Sequence, residues 1–269
     1  TKNDEVKLKR ILKIHINAFN KFIFTKKIKD YSISEFKILI LIKYILGEKE
    51  IKIKDKIKKI FESQLDSFSM HKSYNLIDHA KYINDLNEVI NILLNFEIKV
   101  PEIFYLTKIR METVLAQYFH KDGTIALFNG SNNYNLSNIL LTLQEKGNIR
   151  KIDFPDQKNG IFFYEDKYKK IFFDTVQPTS SELSKRLSAG TLSLEFSADK
   201  EKIITNCGAF EKTDGNAAYL RYSAAHSTII LENTNVSEIR VDQPYIKFPQ
   251  MVSFKKQKDS KKLSIESSH

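Results

Sequence analysis

Cysteine is almost absent from this chain of 269 residues, and tryptophan is absent altogether. The single cysteine, Cys207, has no partner in the chain, which excludes an internal disulfide framework. Its neighbours are typical strand residues, so we predict that it is a small buried side chain. No cysteine and histidine stand at zinc-ligand spacing. The sequence therefore predicts no metal and no other cofactor.

Long apolar runs are also missing. The longest, Ile38–Ile42, is far shorter than the roughly 18 residues that a membrane-spanning helix needs, so no transmembrane segment is predicted. Glycine-rich phosphate loops, nucleophile elbows and paired-carboxylate motifs are absent as well. The sequence starts at Thr1 without an initiating methionine or a signal peptide and stops within strand-like sequence. We therefore expect it to be a segment of a longer protein.

Acidic residues are outnumbered by basic ones, with 43 Lys and Arg against 33 Asp and Glu, which gives a net charge of +10. Such a balance favours a polyanionic partner, which could be nucleic acid, an acidic glycan or a lipid surface. Alternatively, the basic residues reflect a composition bias that acts on every surface, since scattered charges mainly solvate a protein. No helix-turn-helix, RNA-recognition or zinc-finger pattern is present. We therefore do not expect nucleic acid as the partner.

The first half of the chain has the apolar periodicity of helices. Ser32 and Glu35 have the spacing of a capping box before the apolar segment Phe36–Leu46, which ends at Gly47. Further stripes of apolar residues with helical spacing follow. They lie in Ile53–Leu65, Ile83–Leu94, Glu102–Phe119 and Leu136–Leu143. The sequence thus predicts a helical N-terminal domain over residues 1–155.

The second half changes to the pattern of strands, and we predict a β domain over residues 156–269. Two hairpins are indicated, each by a pair of apolar arms around a short polar turn. Their arms are Gly160–Tyr164 with Lys169–Asp174, and Thr191–Phe196 with Lys202–Asn206. Later strands are predicted at Ser227–Leu231, Ile239–Val241, Val252–Lys255 and Lys262–Ile265. Helices followed by strands without alternation predict an α+β chain with antiparallel pairing.

Several short motifs resemble those of one family. The segment His120–Gly130 is close to the pattern H-x-D-G-x-x-A-L-F-N-G of bacterial heparinase II/III-like proteins. Three further segments match sandwich motifs of the same family, and Gln64–Tyr74 is a partial match to a helix-connecting loop. The three are Ser188–Glu195, Thr205–Gly208 and Ala225–Thr228. The chain therefore resembles the heparinase II/III-like family of polysaccharide lyases and their relatives.

The resemblance implies a fold and a chemistry. The fold is a portion of an α/α toroid, followed by an antiparallel β-sandwich. The chemistry is β-elimination in a glycan that contains uronic acid: a base removes the C5 proton, a donor neutralises the adjacent carboxylate, and an acid protonates the departing oxygen. The implied partner is an acidic polysaccharide, and the implied location is the periplasm or the cell envelope.

The resemblance also points to candidate site residues in a cleft lined by both halves of the chain. The expected catalytic residues are His71, Tyr74, His120 and His226. The expected substrate contacts are Asp122, Asn129, Arg186, Ser188, Asn206 and Arg221. Each has an ordinary structural alternative, because histidines occur in turns and at strand starts, Asp-Gly and Asn-Gly form turns, and arginines solvate surfaces.

Three positions depart from the pattern of characterised lyases. Arg186 and Ser188 stand where those enzymes carry histidines, and Asn206 replaces a metal-binding aspartate. His226 by itself cannot complete a zinc site with three protein ligands. The alternative function is therefore a glycan-binding relative that keeps the cleft and has lost the lyase chemistry. The sequence indicates no particular oligomeric state.

Overall fold

The computed structural model describes residues 2–24, 31–45, 53–132, 160–185, 187–209, 217–240, 243–258 and 263–268. The chain forms two compact units. The first comprises Thr1–Ser67 and Tyr82–Ile109, and the second comprises Phe68–Lys81 and Arg110–His269. None of the helices in these described ranges combines the length and the apolar character that crossing a membrane requires.

Among the described residues, five α-helices occupy the first half of the chain. They are α1 (Lys2–Phe24), α2 (Ile33–Ile45), α3 (Ile53–Gln64), α4 (Leu76–Asn95) and α5 (Glu102–Gln117). The sequence predicted α2, α3 and α5 closely, whereas α4 begins earlier than its apolar stripe and α1 was not predicted. The predicted helix Leu136–Leu143 and the predicted domain boundary at 155/156 lie outside the described residues. The boundary stays a prediction.

The capping box predicted at the start of α2 is confirmed. The Ser32 backbone N–H donates to Glu35 Oε2 at 2.8 Å, and the Glu35 N–H donates to Ser32 Oγ at 3.1 Å. The two bonds satisfy backbone donors that the first turn of a helix leaves unpaired. Lys37 Nζ then pairs with Asp85 at 2.8 Å, so the start of α2 is joined to α4 within the first unit.

Apolar side chains of α2, α3, α4 and α5 form the core of the first unit. Phe61 meets Phe104 edge-on, with ring centroids 6.1 Å apart. The stripe predicted along α3 faces this core, because Ile57 and Ile60 are completely buried. The burial of such large apolar side chains is the main source of stability in a helical unit. The other fully buried members include Phe36, Ile40, Leu86 and Leu93.

The second unit contains an antiparallel sheet in the order β1-β2-β3-β4 and a separate pair, β5-β6. The strands are β1 (Ile161–Glu165), β2 (Lys169–Asp174), β3 (Leu194–Ala198), β4 (Glu201–Ile204), β5 (Ser253–Lys258) and β6 (Leu263–Ser268). Both predicted hairpins are confirmed, since β1 pairs with β2 and β3 pairs with β4. The β5-β6 pair confirms the last two predicted strands.

Three predictions in the second unit are wrong. Ser227–Leu231 is not a strand, because its backbone makes only isolated bonds to neighbours, such as Leu194 N–H to the Ser227 carbonyl at 3.2 Å. Ile229 in this segment is 74% exposed, so its alternation does not mark a buried face. Ile239 is likewise outside any strand, and Val241 lies beyond the described residues. Cys207 is exposed and not buried, since it follows the end of β4.

Aromatic side chains join α5 to the sheet within the second unit. Tyr118 follows α5 and donates its hydroxyl to the Ile161 carbonyl of β1 at 2.9 Å. Its ring also lies 5.9 Å from that of Phe172 on β2. Phe172 is completely buried, and Phe128 meets it edge-on. The residues that follow α5 are therefore fixed against the sheet.

Strand β3 and the residue before it bury a polar face. Ser193, Glu195 and Ser197 are at most 1% exposed, whereas Leu194 and Phe196 on the other face are only half-buried. A carboxylate in such a position needs hydrogen-bond donors, because an unpaired charge in an apolar interior is strongly unfavourable. The donors to Glu195 lead directly to the candidate site.

Candidate active site

The loop that precedes α4 carries two of the predicted catalytic residues. The Tyr74 N–H donates to the His71 carbonyl at 2.8 Å, which closes a tight turn. Tyr74 has a φ of +51°, a left-handed conformation that is uncommon for a bulky residue. Its side chain is nearly buried. Strained backbone of this kind is often found at functional sites.

A second histidine, His79 on the first turns of α4, holds this loop. Its ring is completely buried. His79 Nδ1 accepts the His71 backbone N–H at 3.1 Å, and His79 Nε2 lies 2.9 Å from the Met111 carbonyl on α5. Burial lowers the pKa of His79 to about 4, with a smaller contribution from His71, while the bond to Met111 opposes the shift. The ring is therefore neutral at ordinary pH.

The residue after Tyr74, Asn75, connects the loop to the Asn129–Ser131 turn. Its Oδ1 caps α4 by accepting the N–H groups of Ile77 and Asp78 at 2.8 and 3.0 Å. Its Nδ2 donates to the Asn129 carbonyl at 2.9 Å, and Ser131 Oγ accepts the N–H of Leu76 at 2.9 Å. Asn129, a predicted substrate contact, thus lies beside the loop.

The same turn contacts the segment that follows β4. The Ala209 N–H donates to the Ser131 carbonyl at 3.1 Å. Gly208 adopts a φ of +72°, and a Cβ at this position would lie 2.8 Å from the same carbonyl. Only glycine permits this close approach without a shift of the backbone. A continuous set of hydrogen bonds therefore leads from the His71–Asn75 loop through Ser131 to the residues beside Asn206.

His120 lies in the turn after α5, and its ring is buried. Its Nε2 lies 2.8 Å from Glu195 Oε2, and its Nδ1 lies 2.9 Å from Ser197 Oγ. The His120 and Glu195 side chains are 1% and 0% exposed. The ring is buried because the turn after α5 folds onto the polar face of β3. Both ring nitrogens of His120 are occupied within the core.

Glu195 in turn fixes Asn206 and the start of the His226 segment. Glu195 Oε1 accepts the Asn206 backbone N–H at 2.9 Å and the Thr205 hydroxyl at 3.3 Å. The side chain of Asn206 accepts the Ser227 N–H at 2.9 Å through Oδ1. His120, Asn206 and His226 are therefore brought together around one buried carboxylate.

The ring of His226 is buried beside Gly190. A Cβ at Gly190 would lie 3.3 Å from His226 Cγ, so the missing side chain makes room for the imidazole. Burial lowers the pKa of His226 to about 4, although a bond to the Leu220 backbone and the Glu195 charge both oppose the shift. His226 Nε2 and Asn206 Nδ2 have no hydrogen-bond partner in the part of the chain that the structure describes.

The remaining predicted substrate contacts lie apart from this cluster or serve the backbone. Arg221 Nε donates to the Leu187 carbonyl at 2.9 Å, and its Nη2 donates to the Ser184 carbonyl at 3.2 Å. Ser188 is buried, and its carbonyl accepts the Tyr245 hydroxyl at 2.7 Å. These contacts order the segment before β3. Arg186 lies outside the described residues.

Asp122 sits in the exposed turn between α5 and Ile125. Its Oδ1 accepts the Thr124 N–H at 2.9 Å and the Thr124 hydroxyl at 2.7 Å. Partial burial would raise the pKa of Asp122, but these bonds and the charge of Lys202 outweigh it and lower the pKa below its ordinary value.

A nearby surface pocket is lined by two lysines and two acidic residues, whose charges balance. They are Lys121, Asp199, Lys200 and Glu201.

The site does not suit the metal that the resemblance associates with aspartate at position 206. In the described ranges no three His, Cys, Asp or Glu side chains lie together in a metal-binding arrangement. The Asn206 amide oxygen is already used by the Ser227 N–H, which leaves the NH2 group as the other polar atom. An amide NH2 carries no lone pair for a cation. The residues present do not form a metal centre.

Sequence reasoning missed the residues that organise this site. Glu195 was overlooked because the apolar residues Leu194 and Phe196 dominate the alternation of β3. A signal was available, since Glu195 stands between Ser193 and Ser197 in the same period of two, which forms one continuous polar face. His79 and Asn75 gave no comparable signal, because their roles depend on contacts with α5 and with the Asn129 turn.

Comparison with known proteins identifies the second half of the chain. The family model described as heparinase II/III-like, C-terminal, matches residues 153–269. No curated protein sequence matches the chain. Several solved structures do resemble the model, and they include heparinases.

Three of these structures illustrate the likeness. The heparinase III BT4657 gene product has a TM-score of 0.61 and 13% identity, over 88% of this chain and 40% of that one. Another heparinase III has a TM-score of 0.55 and 12% identity, over 86% of this chain and 43% of that one. The heparan sulfate lyase HepC from Pedobacter heparinus has a TM-score of 0.53 and 14% identity, over 76% of this chain and 35% of that one.

The chain thus spans about two fifths of the length of these relatives or less. At such identities the likeness establishes the fold. The family match and the motifs at His120–Gly130 and Ala225–Thr228 agree on the same group of proteins. Residues 153–269 match the heparinase II/III-like C-terminal domain, and the chain shares its fold with solved heparinases.

Proposed function

We propose that this protein is a polysaccharide lyase that cleaves an acidic, uronic-acid-containing glycan by β-elimination. The observation that carries the proposal is the set of hydrogen bonds that joins the His71–Asn75 loop, the Ser131 turn and the segment before His226 within one compact unit. Predicted site residues that are far apart in the sequence thereby belong to one body. The basic net charge of +10 suits a polyanionic substrate.

The proposed chemistry divides among few groups. Tyr74 is the candidate base, since its backbone is held in a strained turn next to His71. His71 is the candidate donor to the uronate carboxylate. His226 is the candidate acid or base, and its lowered pKa means that it acts in the neutral form. His120 contributes by holding Glu195.

The finer points of fold and location belong to the same proposal. We interpret the helices as a portion of an α/α toroid and the four-stranded sheet as one layer of a β-sandwich. Both interpretations rest on the family and on the solved heparinases. An acidic glycan substrate is also consistent with a place in the periplasm or the cell envelope.

The test is production of an unsaturated, ultraviolet-absorbing sugar from a panel of uronic-acid polymers. Tyr74→Phe should lower kcat about 10²–10⁴-fold, the usual contribution of a general base or acid. The matched control is Tyr105→Phe, because Tyr105 is an exposed residue of the first unit. Absence of the unsaturated product from every polymer, with folded protein, would reject the lyase.

A second candidate function is glycan binding without cleavage. It is favoured by Arg186 and Ser188, which replace the histidines of characterised lyases, and by the occupation of both His120 nitrogens in the core. Glycan affinity that survives both His226→Ala and Tyr74→Phe, together with no turnover in the parent protein, would select this function over the lyase.

A further inference from the structure

The His71 and His79 rings form a chain of hydrogen bonds whose direction is set by backbone groups. At one end, the Met111 carbonyl can only accept, so His79 Nε2 must carry the proton. At the next link, the His71 backbone N–H can only donate, so His79 Nδ1 must accept. The tautomer of a neutral histidine is fixed by such partners. His79 is therefore held as the Nε2–H form.

The same reasoning fixes the His71 ring. The Ser73 N–H donates to His71 Nδ1 at 3.3 Å. The Asn75 N–H donates to Ser73 Oγ at 3.1 Å, which leaves the Ser73 hydroxyl proton for His71 Nδ1 at 2.7 Å. His71 Nδ1 thus accepts from two donors of one residue. The proton of the neutral ring lies on Nε2.

We infer that His79 is a positioning residue for the candidate site, which fixes the His71–Tyr74 turn so that His71 acts through Nε2–H as a hydrogen-bond donor and not as a base. This role rests on the proposed lyase function. The ligand group that such a donor recognises is a carboxylate of the glycan, whose charge the donor offsets while the C5 proton is removed. Tyr74 is then left as the base in the turn.

His79 is suited to this role because it links three elements of the second unit. It is part of α4, it donates to α5 through Met111, and it accepts from the loop at His71. The loop itself is anchored further on by Asn75. Loss of His79 would leave the His71 N–H without its acceptor in a part-buried position, where an unpaired donor is unfavourable.

The experiment is nitrogen-15 NMR of the histidine rings in the whole chain, with each signal assigned through a single His→Gln variant. The parent should show His71 and His79 each with a protonated Nε2 and an unprotonated Nδ1. His79→Leu, which removes both ring bonds, should abolish the fixed His71 tautomer and increase exchange of the His71 amide. His79→Gln, which offers an acceptor and a donor, should restore part of that order.

Controls separate positioning from general loss of stability. Val89→Ala removes a completely buried side chain from the same helix but within the first unit, and it should leave the His71 signals unchanged. If a lyase substrate is found, His79→Leu should lower kcat about 100-fold with little change in KM, as a small displacement of catalytic groups does.

The outcomes are distinguishable from failure of the lyase proposal. A proton on His71 Nδ1 in the parent, or unchanged His71 signals in His79→Leu, would overturn the positioning role whatever the activity. Fixed tautomers in a protein that cleaves no uronic-acid polymer would uphold the geometry and reject only the lyase. If His79→Leu fails to fold, the tautomers of the parent still decide the question.

Discussion

His120 Nε2 lies 2.8 Å from Glu195 Oε2, and the two side chains are 1% and 0% exposed. The pair joins the turn after α5 to β3 and, through Glu195 Oε1, to the Asn206 backbone. Such a buried pair, together with the backbone groups it satisfies, forms a network in which each polar group needs the others as hydrogen-bond partners. Glu195 is therefore the centre of the polar core beneath His226.

Glu195→Gln is expected to destabilise the second unit strongly. The glutamine amide presents an NH2 group where the carboxylate accepted from His120 or Asn206, so at least one buried donor loses its acceptor. Leaving a buried donor without its acceptor typically lowers the free energy of unfolding by about 1–3 kcal/mol. Urea denaturation measures the change. Glu201→Gln on exposed β4 is the control and should change it by less than about 0.5 kcal/mol; equal effects would contradict the role of Glu195.

Gly208→Ala should disturb the connection between the Ser131 turn and the segment after β4. The added Cβ would lie 2.8 Å from the Ser131 carbonyl and would also occupy a φ of +72°. Left-handed strain alone lowers stability by about 1–2 kcal/mol, and the clash adds about 1–3 kcal/mol more. Gly123→Ala is the matched control, because its φ is +84° but no atom lies within 4 Å. Thermal denaturation of the two variants should separate strain from the clash, and similar losses would refute the close approach.

Asp174 should make stability decrease as the pH rises. Burial raises its pKa to about 7 from 3.8, and one bond from the Val176 N–H opposes the shift. As the pH rises, the unfolded state therefore loses the Asp174 proton before the folded state does. The free energy of unfolding decreases between about pH 4 and about pH 7. Asp174→Asn removes this titration and keeps an oxygen for Val176.

Relative to the parent, Asp174→Asn should gain about 2–3 kcal/mol in the free energy of unfolding between about pH 5 and about pH 8. Asp199→Asn at an exposed turn serves as the control and should show no such gain. Parallel pH profiles for the parent and Asp174→Asn would contradict the prediction.

His79 should act over nearly the same pH range and in the opposite direction. Its pKa is lowered to about 4 from 6.5 by burial, so the unfolded state binds the proton first as the pH falls. The contribution of His79 to the free energy of unfolding is complete above about pH 6.5. It decreases by about 3 kcal/mol as the pH falls to about 4.

His79→Gln should remove that part of the acid slope, as measured by urea denaturation across this window. His15→Gln at an exposed position of α1 should leave the slope unchanged. The hypothesis fails if the His79 and His15 variants lose stability with acid to the same extent.

The local patterns of the sequence were sufficient for most elements. The Ser32–Glu35 capping box and the two hairpins were predictable because their signals lie within a few residues of each other. The strand predicted at Ser227–Leu231 was wrong because alternation alone cannot supply a partner strand. Leu106 and Ile109 belong to the apolar pattern that predicted the helix in Glu102–Phe119, yet both are exposed, since another face of the helix meets the core.

For the candidate site, the sequence supplied candidate residues, and their arrangement was not predictable. The motifs drew attention to His71, His120 and His226, but no spacing indicates that His120 turns inward or that its Nε2 lies beside Glu195. Those facts follow from long-range packing of α5 against β2 and β3. Asn75 and His79 likewise acquire their roles from Asn129 and Met111, which stand more than a helix away in the chain.

The sequence by itself determined the order of helices and strands, the turn positions and the resemblance to one family, because each depends on local periodicity or on short motifs. The tertiary structure alone decided which polar groups are buried and which partners fix their protons. Such partners are set by contacts between distant segments, and the penalty for an unpaired buried polar group makes those contacts specific.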